Sequence, residues 1–341
     1  MKSTKKTLLI LLLLLTLLVT ACGTTSSAPA PAAEAPEETP AAESSAEAAD
    51  GDAAAAAETD LAAGRTIEDH LGRQVELPDQ PERVLALTRN FMEELFELGI
   101  TPVGKVEEYK NRQEGIDLPS VSNQNNPNLE AIAALAPELI FANTRQHADL
   151  LESLEEISGA VVFIDPNKVI DDPLVSRILF MAEVLNRKAE GENYIAQLDA
   201  VTAELQAKVA PLGYETGLIL EIGDKVTAAQ PTGFFGALLH RMNIENIVPL
   251  GLPGSGQSTW VDFDAETILA EDPDIVLLRA SGNDKDEHKQ LLEDFKNNPA
   301  WSELSAVKNN QLFILPAQIA PGNISNEEAL RRTAKIIGAG E

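Results

Sequence analysis

NLEAIAALAPELIFANTR, residues 128–145, and DAETILAEDPDIVLLRA, residues 264–280, are two copies of one pattern. They align without a gap: Asn128 with Asp264, Glu130 with Glu266, Ile132 with Ile268, Pro137 with Pro273, Glu138 with Asp274, and the apolar run from Leu139 with the run from Ile275. Each copy opens on a good N-cap, places a carboxylate in the first turn where the helix dipole favours it, and continues with apolar residues at helical spacing. The proline closes the helix. The apolar run beyond it suits a buried strand and is too short for a helix, so each copy predicts helix, tight turn, core strand. Copies this far apart predict two lobes of similar build, whereas the repeats of a solenoid recur every ~20–50 residues.

The rest of the composition agrees with two lobes. A chain of 341 residues with 44% hydrophobic side chains can bury one or two substantial cores. A formal charge of −28, from 54 acidic residues against 26 Lys plus Arg, excludes a nucleic-acid partner, because neutralising phosphates needs a basic face. The single cysteine forbids an internal disulfide.

That cysteine belongs to a leader. Lys2, Lys5 and Lys6 form a positive start, and the apolar stretch 8–19 fits a signal peptide and falls short of the ~20 residues that span a bilayer. Leu18-Val19-Thr20-Ala21-Cys22 resembles a bacterial lipobox, in which the cysteine is lipidated and becomes the mature N-terminus. Residues 1–21 therefore read as a lipoprotein signal peptide, and the expected location is outside the cytoplasm, lipid-anchored to the cell membrane. Residues 22–64 read as a disordered tether rich in Ala, Pro and Glu, acidic and without one basic residue.

The folded part is expected from Arg65. A hairpin turns at Asp69-His70-Leu71-Gly72; strands follow at 83–88, 100–106, 139–142 and 161–164, with helices at 91–98 and 150–158. Gly99 is placed for a left-handed helix cap. Helical spacing over 172–209, capped by Asp172 and broken near Gly191, predicts a stiff connection. Strands at 216–222 and 311–315 and helices at 233–242, 291–297 and 327–337 then build a second lobe. Alternating strands and helices imply a parallel sheet covered on both faces. The expected fold is α/β: two doubly wound lobes with mainly parallel sheets, 65–170 and 212–341, joined by a long rigid helix in 171–211.

The stretches RVLALTRNFMEELFELGITPVG, NLEAIAALAPELIFA, GFFGALLHRMNIENIV, FDAETILAEDPDIVLL, NPAWSELSAVKNNQLFILP and EALRRTAKIIG, in this order, resemble the iron-siderophore and vitamin B12 class of solute-binding lipoproteins that feed ATP-driven importers. The resemblance covers nearly everything after Arg65. It implies a ligand cleft between the lobes, no catalysis, no cofactor, a monomer, an Fe(III) chelate as ligand, and a permease dimer with its ATPase as partner. It also implies that Glu130 and Glu266, at equivalent places in the two copies, stand on the lobe rims and pair with arginines of the permease. The alternative is that both acids only satisfy the dipoles of their own helices.

Other readings are weaker. The stretch 251–258, GLPGSGQS, is one residue from a phosphate-binding loop, which needs lysine where Gln257 stands. His70, His147, His240 and His288 lack paired ligand spacing, so no directly bound metal is expected. Ser255 and Ser258 lack the nucleophile elbow of a hydrolase, which leaves a cell-surface hydrolase or adhesin as the contrasting class. Haem or cobalamin is the alternative ligand within the resembling class. Its haem-binding relatives hold iron through a methionine and a histidine, at places held here by Asn125 and Ser281, neither a good axial ligand.

In open parallel sheets the carboxyl ends of strands face the ligand crevice. Arg89, Arg145 and Arg279 follow such strands, and a planar guanidinium suits carboxylate or catecholate oxygens of an anionic chelate. Tyr109, Lys110, Arg112, Gln230, Phe234, Phe235 and Trp260 lie in neighbouring segments and are expected to complete the cleft.

Overall fold

In the computed structural model of the protein both copies of the repeated pattern take the expected form, and they do so through matching tertiary contacts. Asn128 and Asp264 cap their helices by accepting the backbone N–H of Ala131 and Thr267. Ala136 and Asp272, one residue before each proline, both turn into left-handed backbone, at φ 43° and 42°. The next acid closes the unit: Glu138 accepts the N–H groups of Glu82 and Arg83, and Asp274 those of Glu215 and Thr216. Each carboxylate thus fastens the start of the strand beside its own, which fixes the register at the centre of each lobe.

The structure describes residues 64–168 and 172–340, all within one compact unit, Asp60–Glu341. The signal peptide, Cys22 and the tether up to residue 63 lie outside the described residues. Among the described residues no helix is long and apolar enough to cross a membrane.

The first lobe opens with an antiparallel hairpin, β1 (Arg65–Glu68) and β2 (Gln74–Leu77). Strand β3 (Val84–Ala86) leads into helix α1 (Arg89–Glu97), which Gly99 ends at φ 73°. The stretch 100–106 does not form the expected strand. It carries an isolated bridge, Lys105 to Ser120, and meets β3 only through the Val103 N–H, which donates to the Val84 carbonyl. Short helix α2 (Gln113–Ile116), the two-residue strands β4 (Ser122–Asn123) and β5 (Asn126–Pro127), helix α3 (Leu129–Ala134), strand β6 (Leu139–Asn143), helix α4 (Leu151–Ile157) and strand β7 (Val161–Ile164) complete it. The sheet is parallel in the order β3-β6-β7, and every residue of β6 and β7 is buried, as a strand covered on both faces requires.

The connection is two helices, α5 (Ser176–Val184) and the long α6 (Lys188–Val209). The break falls at Asn186, in left-handed backbone at φ 55°, and not at Gly191, which lies inside α6. Gly191 is there for closeness: a Cβ on it would stand 2.9 Å from the Ala182 Cβ of α5. Asp172 caps the turn that leads into α5, its Oδ1 accepting the Leu174 N–H at 2.8 Å and its carbonyl the Ser176 N–H at 2.9 Å, while the helix itself starts at Ser176 and not at Pro173. Its other carboxylate oxygen takes a salt bridge of 2.6 Å from Arg241.

The second lobe holds β8 (Thr216–Ile222), β9 (Val226–Ala229), α7 (Phe234–Arg241), β10 (Glu245–Asn246), β11 (Trp260–Asp262), α8 (Ala265–Glu271), β12 (Ile275–Arg279), α9 (Lys285–Asn297), α10 (Ser305–Lys308), β13 (Leu312–Leu315) and α11 (Asn326–Ile336). Its sheet is mixed: β8, β10, β12 and β13 run parallel, while β9 and β11 are antiparallel additions at one edge. Helix α9 begins earlier than its apolar spacing suggests, because Asp284 caps it with two backbone N–H bonds. One continuous apolar core runs from the first sheet through α5 and α6 to the inner face of the second sheet, and a separate cluster covers that sheet's other face. Lobes that share a core do not hinge freely.

Candidate functional site

The carboxyl ends of β3 and β6 stop side by side, with the Leu87 N–H bonded to the Phe141 carbonyl. Thr88 then caps α1, its hydroxyl accepting the Phe91 N–H at 3.3 Å, so the positive end of α1 opens where the strands end. Asn143 turns the chain after β6 by accepting the N–H groups of Arg145 at 2.8 Å and Gln146 at 3.3 Å. Between these ends lies a hollow of about 280 Å³, lined by Thr88, Arg89, Asn90, Gln124, Asn143, Arg145, Gln146 and Pro166. His147 holds its wall. Buried completely, its Nδ1 accepts the Asn143 N–H at 2.9 Å, which leaves Nε2–H to donate to the Gln124 carbonyl at 2.6 Å. Burial pulls its pKa below the ordinary value, in keeping with a neutral ring.

The second lobe presents Arg279 at the end of β12. Strands β8 and β12 are in parallel register at Leu220 and Leu278, so the next residues, Glu221 and Arg279, stand side by side, and Arg279 Nη1 donates to Glu221 at 2.7 Å. The guanidinium carbon lies 5.4 Å from the Phe235 ring centre and 5.7 Å from that of Trp260, and the two rings are 5.3 Å apart. Arg279 Nε is buried and has no hydrogen-bond partner among the described residues.

The two halves meet. Burial pulls the Arg89 pKa below its ordinary value, Glu108 opposes this, and the charge of Arg279 adds to it, so arginines from both lobes share one electrostatic neighbourhood. Arg145 reaches across to donate to the backbone carbonyl of Gln257 in the second lobe. Gly322, at φ 75°, lets the loop after β13 close on α1: a Cβ there would lie 2.8 Å from the Asn90 backbone nitrogen. Of the residues expected around the cleft, Arg89 and Arg145 line the hollow of the first lobe, and Arg279, Phe235 and Trp260 stand together in the second.

Three expected site residues go elsewhere. The Tyr109 hydroxyl is buried and donates to Glu93 at 2.7 Å, and Arg112 pairs with Glu93 at 2.7 Å and with Glu97 while stacking on Phe96. Both are drawn under α1 by its carboxylates, away from the strand ends. Burial, opposed by Arg112 and reinforced by Glu93, pushes the Glu97 pKa up to about 7. Gln230 is buried, and its amide donates to the Ser258 carbonyl, which secures the 251–258 loop. The same loop takes Arg145 of the first lobe on its Gln257 carbonyl. Residues that sequence reasoning missed are Asn90, Gln124, Asn143, Gln146, His147 and Glu221. The polar run Asn123-Gln124-Asn125-Asn126 was the only signal for any of them.

Glu130 and Glu266 are both exposed, each in the first turn of its helix. Asn125 is exposed and accepts from Gln146 at 2.7 Å, and Ser281 is exposed as well. Among the described residues no group of three or more His, Cys, Asp and Glu is arranged to hold a metal ion.

The fold agrees with the comparisons. The family described as periplasmic binding protein matches residues 84–319, and the chain belongs to it. The chain is 26% identical to the Fe(3+)-citrate-binding protein YfmC of Bacillus subtilis, over 73% of this chain and 77% of that protein. It is 23% identical to the high-affinity heme uptake system protein IsdE of Staphylococcus aureus, over 68% and 78%. In structure it is similar to Staphylococcus aureus SirA complexed with staphyloferrin B, with a TM-score of 0.65 at 21% identity, over 81% of this chain and 98% of that one.

Proposed function

We propose that this protein captures an anionic ferric chelate in the cleft between its lobes, outside the cytoplasm, and delivers it to the permease of an ABC importer. Cys22 is the proposed lipid anchor, and Glu130 and Glu266 are the proposed contacts to the two permease subunits. The observation that carries the ligand reading is that guanidinium groups gather where strands of both lobes end: Arg89 and Arg145 line the hollow beyond β3 and β6, Arg145 donates to the Gln257 carbonyl of the second lobe, and Arg279 ends β12. Like charges repel, by ~1 kcal/mol at 4 Å in water and more where water is excluded, and an anion placed between them removes that cost. Binding without turnover agrees with the family and with the relative that carries ferric citrate.

Haem is the alternative ligand, in keeping with the relative named for heme uptake. His147 has both ring nitrogens in hydrogen bonds, and the two places named in the sequence hold Asn125 and Ser281, neither a usual axial ligand.

Titration of intrinsic tryptophan fluorescence tests the proposal, because Trp260 stands against Arg279. Ferric citrate is expected to change the signal saturably, and R89Q and R279Q each to weaken binding by about 1.5–3 kcal/mol, the worth of a charge-assisted hydrogen bond. Unchanged affinity in both variants would sink the anionic-ligand reading.

A further inference from the structure

Arg65 fixes where the chain enters the fold. It opens β1, and its guanidinium donates to the carbonyls of Glu183 and Val184 at the end of α5 and to that of Asp79. The last carbonyls of a helix have no partner within it, so the hairpin supplies a cap for α5 from outside. Beside this cap lies a hollow of about 450 Å³, lined by Arg65, Leu179, Ala182, Glu183, Asn186 and Lys188. Its apolar wall is open to water: Leu179 is 39% exposed, although its helix neighbours Ile178, Met181 and Ala182 are buried. The Lys188 ammonium is exposed and has one ion pair among the described residues, with Glu192 at 3.7 Å.

The chain just ahead carries one side chain that fits. Residues 23–63 are Ala, Gly, Pro, Ser, Thr and acids, with Leu61 as their single large apolar residue. Leu61 stands four residues before Arg65, so it lies at most about 14 Å from it, at ~3.3–3.6 Å per residue. Loop-closure entropy grows with length, so a segment this short is seated at low cost, and the hollow takes apolar surface out of water. Asp60, next to Leu61, is opposite in charge to Lys188 and belongs to the same compact unit. We propose that Leu61 seats in this hollow against Leu179 and Ala182, with Asp60 turned to Lys188, so that residues 60–63 strap the end of the tether to the helical connection. A pull on the tether is then carried by α5 and α6, which belong to the core shared by both lobes, and not by the hairpin alone. The strap needs no particular ligand in the cleft, and it adds to the proposed lipid anchor a fixed point on the fold.

A double-mutant cycle tests the contact. The whole mature chain, from Cys22, is unfolded in urea as wild type, L61A, L179A and L61A/L179A, with A62S as a control that should change nothing. L61A should raise the unfolding constant about tenfold, the value of ~1.4 kcal/mol, and by no more than about threefold when Leu179 is already alanine. Side chains that do not touch would add independently. Elastase, which cuts beside small residues, reads the same contact in the folded protein. By mass spectrometry the wild-type limit product should begin at or before Leu61, and the products of L61D and L179D within residues 63–65. An L61A protein as stable as wild type, equal losses from L61A in both backgrounds, or a wild-type limit product that begins after Leu61 overturns the inference. A loss in L179A without one in L61A means that something other than residues 60–63 covers the hollow, a second copy of the chain if the midpoint depends on protein concentration, and it overturns the inference too.

Discussion

Arg177 is the side chain whose loss should cost most, and the cost should depend on pH in a direction the structure fixes. Its Nε lies 2.6 and 2.8 Å from the two carboxylate oxygens of Glu94, which joins α5 to α1. The side chains are only 19% and 8% exposed, and Arg177 also stands 5.7 Å from the Phe91 ring. R177M keeps the stem and removes the charge, stranding Glu94 in a site where burial already pushes its pKa up against the pull of Arg177. Removing one partner of such a pair costs about 3–5 kcal/mol, a large share of the ~5–15 kcal/mol that holds a protein folded. The sign follows from the raised pKa. A carboxylate whose folded pKa exceeds its unfolded one contributes stability that is complete below the unfolded pKa and lost as pH rises through the folded pKa. Without Arg177 the folded pKa rises further and the loss steepens. Urea denaturation followed by circular dichroism should therefore show R177M much weaker than wild type at about pH 8 and closer to it at about pH 5. The double variant E94L/R177M, which leaves no buried charge, should recover most of the loss. An equal deficit at both pH values, or a double variant no better than R177M, would refute the reasoning.

Other outcomes follow from single contacts. G191A gains about 1 kcal/mol of helix propensity but drives a methyl into Ala182 of α5, which costs about 1–3 kcal/mol, so its denaturation midpoint should fall; a rise would show that α5 yields. Burial lowers the His147 pKa, so the unfolded chain binds the proton first, and His147 should cost the wild type stability as pH drops below about 6.5. H147L should lose that part of the pH slope and, with the Asn143 N–H orphaned, about 1–3 kcal/mol at neutral pH, both read from melts across pH. Reversing Glu130 and Glu266 together to Lys should leave chelate affinity intact and abolish uptake by cells, through like-charge repulsion at both proposed permease contacts; normal uptake would confine both acids to their helices.

The repeated unit was legible because its signals are local. The cap, the first-turn acid, the proline and the apolar run all sit within one stretch of chain. The role of Glu138 and Asp274 was not legible, because the N–H groups they accept belong to Glu82, Arg83, Glu215 and Thr216, far away in sequence. The same distance explains the misplaced cleft residues. The apolar stripe of α1 implies that Glu93 and Glu94 face water, yet both are buried, because the helix is covered on more than one side. Once buried, Glu93 needs partners, and it takes Tyr109 and Arg112 from the loop that sequence assigned to the cleft. The arginines after β3, β6 and β12 were found because strand ends follow from topology. Glu221 was missed because only the β8–β12 register brings it beside Arg279.

The two copies also show where the lobes part company. Asn143 and Arg279 hold the same place at the end of the repeated strand, as Glu130 and Glu266 do in the first turn of the repeated helix. The helix position keeps its carboxylate in both lobes, and both carboxylates are exposed. The strand-end position does not keep its chemistry: Asn143 folds back to cap the turn of its own chain, whereas Arg279 extends against two aromatic rings, its Nε without a partner among the described residues. A surface that meets a two-fold permease gains from being duplicated, since the same contact is needed twice. A cleft that holds one chelate has no such requirement, and a ligand without two-fold symmetry is better met by different groups on its two sides. Under the proposed function, the divergence of Asn143 from Arg279, set against the identity of Glu130 and Glu266, fits a repeated scaffold whose rim meets a symmetric partner and whose centre meets an asymmetric ligand.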